Sequence, residues 1–172
     1  MRILAPVCYV SLLACLVPVA LAQNKSQVGT WKCDLSKSDF GRDPAPQSVT
    51  VTIMKDSPEM GSFRVRIVDH SGKIVSYSWS GPEDGSMHPV KDAAGKTLEM
   101  QSLKKQPNGT LLRHGEDSSD GSSFDATDTM SGDGKSIFEE ITEKSKDGTA
   151  TKLRYVYHRS ATVASNAKTK SQ

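Results

Sequence analysis

Seven short segments rich in Asp, Asn, Gly and Ser interrupt the chain between residues 56 and 148. Asn or Asp followed by Gly supplies the positive φ angles that two-residue hairpin turns need, so these segments predict tight turns between antiparallel strands. A chain interrupted this often is typical of an antiparallel meander. The predicted turns are 56–58, 70–72, 83–85, 108–109, 119–121, 133–134 and 147–148.

The segments beside these turns alternate apolar and polar residues, which is the two-residue period of a half-buried strand. Segment 136–144 also fits helical spacing, but the turns on both sides favour a strand. Segment 87–91 contains Pro89, which predicts an edge or bulge position. The predicted strands are 28–35, 48–55, 61–69, 73–80, 87–91, 97–103, 110–116, 122–130, 136–144 and 149–159.

These strands predict an all-β protein, an antiparallel up-and-down meander of about 8–10 strands closed as a barrel, because closure hides the unpaired edges of the sheet. We predict a signal peptide over 1–22, a single barrel domain over 23–160 and a disordered tail over 161–172, where small and basic residues carry no apolar pattern. The barrel domain is long enough to enclose one core.

The first residues have the pattern of an export signal. Arg2 is the only charged residue before Lys25, an apolar stretch follows it, and Ala20-Leu21-Ala22 offers the small residues that signal peptidase recognises. We therefore expect cleavage before Gln23 and a periplasmic or secreted protein. Pro18 and the small-residue site disfavour the alternative of a retained membrane anchor.

The head of the first strand resembles the signature of lipocalins and the wider calycin barrels. Gly29-Thr30-Trp31 is the matching motif, together with an Arg on the last strand, either Arg154 or Arg159. The resemblance implies that Trp31 closes one end of the barrel and that the Arg packs across it. Residues 29–38 and 44–53 also resemble a group of uncharacterised exported bacterial proteins with lipocalin-like barrels, which implies a fold but no activity.

Signatures of catalysis or metal binding are absent from the sequence. No Gly-x-Ser-x-Gly occurs, and the four His residues lack paired metal-ligand spacing. Glu139, Glu140 and Glu143 are interpreted as a solvated face. Lys and Arg, interspersed with acids at a net charge of +2, are likewise expected to be mostly solvated. We expect a monomer without enzymatic activity, cofactor, metal, nucleic-acid partner or membrane span in the mature form.

Aromatic residues on the inward faces leave two alternatives open. They are predicted either to line a small apolar cavity, with phenol hydroxyls as polar groups, or to fill a packed core. The leading hypothesis is an exported barrel that holds a small apolar or amphipathic ligand. The alternative is a solid barrel with a structural or envelope-associated role. The candidate lining residues are Trp31, Phe63, Tyr77, Trp79, Tyr155 and Tyr157.

Overall fold

A computed structural model describes residues 25–160, and its regular elements there are ten antiparallel strands. Each strand pairs with the next along the chain, and the first pairs with the last, so the sheet closes into a barrel. The predicted all-β meander is confirmed. The proposed signal peptide over 1–22 and the tail over 161–172 lie outside the described residues. The strands are β1 Gly29–Cys33, β2 Ser48–Ser57, β3 Met60–Val68, β4 Ile74–Gly81, β5 Asp84–Asp92, β6 Thr97–Lys105, β7 Leu111–Glu116, β8 Ser123–Met130, β9 Ser136–Lys144 and β10 Ala150–Arg159.

The predicted turns all fall at junctions between strands, and local hydrogen bonds explain why. Between β3 and β4, Asp69 Oδ1 accepts bonds from the backbone amides of Ser71 at 2.8 Å and Lys73 at 2.9 Å. Gly72 follows with a φ of 89°, which residues with a Cβ rarely adopt. The side chain of an Asp therefore sets the turn, as its sequence position indicated.

Strands form at both segments for which the sequence suggested an irregularity or a second interpretation, 136–144 and 87–91. Segment 136–144 is β9, paired residue by residue with β8 and β10. The segment around Pro89 belongs to a longer strand, β5, whose register with β6 shifts between Asp84 and Met87 and again between Val90 and Lys91. The bulge expected near Pro89 is thus present, since proline has no amide hydrogen to donate to the ladder.

One end of the barrel is closed by Trp31 and the residues that precede β1. The Trp31 side chain is fully buried, and its indole Nε1 donates to the Gln27 carbonyl at 2.8 Å. The Arg159 guanidinium lies 4.2 Å from the centroid of the Trp31 ring, a cation–π arrangement. Arg154, the other candidate, is exposed and forms a backbone bridge with Asp39.

Arg159 also fastens the chain segment that covers this end. Its Nη1 donates to the Val28 carbonyl at 2.6 Å, its Nη2 to the Ser26 carbonyl at 2.9 Å and its Nε to the Gly134 carbonyl at 3.1 Å. Guanidinium presents its donors in a rigid fork, so one side chain can hold three carbonyls at once. Arg159 therefore holds the segment before β1 against this end of the barrel, and we call the half of the barrel around Trp31 the packed half.

Gly29 is required where β1 approaches this guanidinium. Its φ is 143°, and a Cβ built there would lie 2.8 Å from Arg159 Nη1. We expect Gly29→Ala to lower the free energy of unfolding by about 1–3 kcal/mol, the cost of holding such a conformation. Gly132→Ala is the matched control, since a Cβ there meets nothing within 4 Å. Urea unfolding of both variants tests this, and equal stabilities would contradict it.

Candidate functional site

The half of the barrel opposite Trp31 encloses a cavity of about 550 Å³. It lies under the loop that joins β1 to β2, and the turns after β3 and β7 contribute Asp69 and Asp117 to its lining. Alternation directs every second residue of each strand inward, so several strands each contribute apolar side chains. The apolar wall includes Val49, Val65, Ile67, Val75, Tyr77, Val90, Leu98, Phe124, Ile141, Tyr155 and Tyr157.

The loop between β1 and β2 forms a partial cover over this cavity. Phe40 lines the cavity, and its ring centroid is 5.2 Å from that of Tyr155. The loop is fastened to β10: the Asp39 amide donates to the Arg154 carbonyl at 2.7 Å, and the Val156 amide donates to Ser38 Oγ at 3.0 Å. The cover is thus held by hydrogen bonds to the barrel wall, as well as by aromatic packing.

A buried charged cluster forms the floor of the cavity. Arg113 Nε donates to Asp128 Oδ2 at 2.9 Å, and Arg113 Nη2 donates to Glu139 Oε1. Burial opposes the charge on Arg113, but Asp128 raises the pKa of the guanidinium above its ordinary value. Burial raises the pKa of the Asp128 carboxyl, and Arg113 opposes that effect. The three side chains hold one another inside the barrel through charge-assisted hydrogen bonds.

Polar groups also line the wall above this floor. Burial raises the pKa of Tyr155 to about 12 and that of Tyr157 well above its ordinary value, so both phenols keep their protons at neutral pH. Burial also raises the pKa values of Glu99 and Glu143. The positive charge of Arg113 opposes the increase at Glu99, whereas the negative charges of Asp117 and Asp43 add to it at Glu99 and Glu143 respectively. The cavity therefore combines an apolar wall with hydroxyl and carboxyl groups.

The structure divides the six predicted lining residues into three groups. Tyr77, Tyr155 and Tyr157 line the large cavity. Trp31 and Phe63, again with Tyr157, line a second space of about 70 Å³ beside the charged cluster. Trp79 lies in the packed half: it is 1% exposed, and its indole donates to the Gln101 carbonyl at 3.0 Å.

One expectation about charged residues is wrong. Glu139 was predicted to belong to a solvated face, but it is buried and bonded to Arg113. Arg113 is an exception among basic residues that were expected to be mostly solvated, since its side chain is largely buried. The alternating pattern held a signal for both, since Arg113 is two residues from the buried Leu111 and Glu139 two residues from the buried Ile137. Their charge favoured the prediction of an exposed position over a buried one, because ionised side chains are seldom buried without a partner.

The described residues do not suggest a metal centre or a helical membrane span. Over 25–160, no group of three or more His, Cys, Asp and Glu side chains is arranged to hold a metal ion. In the same range there is no helix of the length and apolarity needed to cross a bilayer.

The barrel and its internal cavity define the fold as a lipocalin-like (calycin) barrel. Among solved structures, a mutant of the fluorescent protein UnaG is similar over 77% of this chain and 95% of its own, with 13% identity and a TM-score of 0.51. The structure of EF1p2_mFAP2b bound to DFHBI is similar over 81% of this chain and 97% of its own, with 15% identity and a TM-score of 0.40. No protein-family model and no curated protein sequence matches the chain.

Proposed function

We propose that this chain is an exported, non-enzymatic binding protein that holds a small apolar or amphipathic molecule inside its barrel. The observation that carries the proposal is the cavity of about 550 Å³. Pockets for small ligands usually measure about 300–1,000 Å³ and combine an apolar lining with a few polar groups. The tyrosine hydroxyls and the Arg113 cluster supply such polar groups here.

The cavity favours binding over the solid-barrel alternative. A barrel filled by its own side chains leaves voids no larger than about one water molecule. Here the half around Trp31 leaves a space of about 70 Å³, whereas the half under the β1–β2 loop holds a cavity of about 550 Å³. A purely structural barrel gains nothing from this volume, because unfilled space forfeits dispersion contacts.

The chemistry around the cavity supports a role in binding rather than catalysis. Asp128 and Glu139 both bond to Arg113, an arrangement that fixes charge in place. Cys33 is the cysteine within the described range, and burial raises the pKa of its thiol. Since the thiolate is the reactive form of cysteine, this environment disfavours Cys33 as a nucleophile.

Blocking the cavity should weaken binding without unfolding the barrel. Val49 lines the cavity, whereas its neighbour Thr50 lies on the opposite face of β2. We expect Val49→Trp to weaken binding of the neutral dye Nile red by about tenfold or more, which is a loss of about 1.4 kcal/mol. Thr50→Trp, the matched control, should bind as the wild type does. Titration of dye fluorescence measures all three proteins.

Two outcomes of that titration contradict the proposal. Equal affinities of the wild type and Val49→Trp would place the dye outside the barrel. Absence of any saturable fluorescence change in the wild type would leave the cavity without a binding role. Circular dichroism of each variant establishes that the barrel is intact.

Export is the second part of the proposal and rests on the sequence of residues 1–22. We expect the mature protein to begin at Gln23, after Ala20-Leu21-Ala22. N-terminal sequencing of protein recovered from the periplasm or medium of its host tests this. Recovery of the full-length chain from the cytoplasm alone would contradict export.

A further inference from the structure

The charges that face the cavity are strongly unbalanced. Its lining includes five carboxylic acids and one cationic side chain, Arg113. Arg113 is already bonded to Asp128 and Glu139, so one guanidinium meets two carboxylates at the floor. In this environment Arg113 has no spare charge with which to hold an anionic ligand. The five acids are Asp69, Glu99, Asp117, Glu139 and Glu143.

The acids near the mouth differ in how they are engaged. Asp69 and Asp117 accept hydrogen bonds within their own turns, from Ser71 and Ser119 respectively. Glu99 and Glu143 line both the cavity and the smaller recess beside β7 and β8, which Lys144 also lines. The Lys144 ammonium is bonded to Asp125 at 3.2 Å. Within residues 25–160, neither Glu99 nor Glu143 forms a salt bridge. Two carboxyl groups at the entrance are therefore available to a ligand.

The wall of the cavity also contains a buried side-chain amide that has no hydrogen-bond partner among the described residues. Gln101 is 1% exposed and lines the cavity, and its amide Nε2 has no hydrogen-bond partner among the described residues. A buried amide that lacks a partner costs about 1–3 kcal/mol. Nε2 is an N–H donor, so a ligand that brings a hydrogen-bond acceptor, such as a hydroxyl or carbonyl oxygen, to this depth would remove that cost.

We infer that the occupant of the cavity is an amphipathic amine, with its apolar body against the wall and its ammonium group between Glu99 and Glu143. This inference rests on the proposed binding function and names the class of ligand. An ammonium group would relieve the repulsion among the carboxylates of the mouth, whereas a free carboxylate would add to it. Opposite charges attract most strongly where water is partly excluded, as it is in this cavity.

Three probes that share one alkyl chain separate the contribution of the head group from that of the apolar body. Decylamine, decanol and decanoate are titrated into the full mature protein by calorimetry at pH 7 and low salt, which preserves electrostatic attraction. We expect decylamine to bind about tenfold or more tightly than decanoate, with decanol between them. Binding of decanoate as tight as that of decylamine would overturn the inference.

Two charge-matched variants locate the effect. Glu99→Gln removes a carboxylate from the cavity, whereas Glu140→Gln removes one from an exposed position on β9. We expect Glu99→Gln to weaken decylamine binding by about two- to fivefold, as loss of a partly exposed ion pair does, and to leave decanol binding unchanged. An equal effect of the two variants would overturn the inference.

The same titrations distinguish this inference from the proposed function. Saturable binding of decanol without any preference for decylamine would leave the binding barrel standing and reject the amine. Failure of all three probes, together with failure of Nile red, would reject the binding barrel and the amine with it.

Discussion

Replacing Arg113 with Met should lower the free energy of unfolding at pH 7 by about 3–5 kcal/mol, the usual cost of leaving buried charges without their partner. Asp128 and Glu139 both bond to Arg113, so its loss isolates two buried carboxyl groups. The methionine keeps most of the side-chain volume, which separates the loss of charge from the loss of packing.

The pH dependence of the stability loss in Arg113→Met tests whether that loss is electrostatic or comes from packing. Burial raises the pKa of Asp128 above its unfolded value of about 3.9, and loss of Arg113 removes the positive charge that opposes this rise. A raised folded pKa gives stability that is present at low pH and lost as pH rises, so the deficit of Arg113→Met should be smallest near pH 4 and grow toward neutrality. Arg64→Met, on the exposed face of β3, is the control. A deficit under 1 kcal/mol, or one independent of pH, would contradict the cluster's role.

Replacing Trp31 with Ala should lower the free energy of unfolding by about 3–5 kcal/mol, a typical cost for deleting a large buried aromatic residue. Trp31 is fully buried, packs with Ile137 and Tyr157, and supports the Arg159 guanidinium. Its removal opens a void in the packed half and deprives that guanidinium of its aromatic partner.

A neighbouring position on β1 provides the control for this variant. Lys32 is exposed and points away from the core, so Lys32→Ala should change stability by about 0.5 kcal/mol at most. Chemical denaturation gives both values under the same conditions. A Trp31→Ala protein as stable as Lys32→Ala would contradict the role of Trp31 in closing one end of the barrel.

The strands and turns could be predicted because their causes are local. An Asp that bonds to the amide two residues on, with a Gly after it, sets a hairpin regardless of what surrounds it, as Asp69 and Gly72 illustrate. Alternation then assigns each side chain to a face. Trp31 could be placed in the interior on this basis, although the choice between Arg154 and Arg159 required the register of β1 against β10.

The contents of the barrel could not be predicted in the same way. Whether aromatic side chains fill a barrel or line a cavity depends on how they pack across it, and neither alternation nor composition specifies this. The charged cluster is built from three different strands, which contribute Arg113, Asp128 and Glu139. Its hydrogen bonds could not be predicted from the sequence, because they depend on the register of those strands. The same limit put Trp79 among the cavity residues, although it lies in the packed half.

Native mass spectrometry of the protein purified from its own host tests the binding function most directly. We expect a population of the mature chain to carry one additional small molecule, released on unfolding, and the same population to be missing from Val49→Trp but retained by Thr50→Trp. A wild-type protein that carries no added mass, and that takes up none of Nile red, decylamine or decanol when they are supplied, would contradict a ligand-binding barrel.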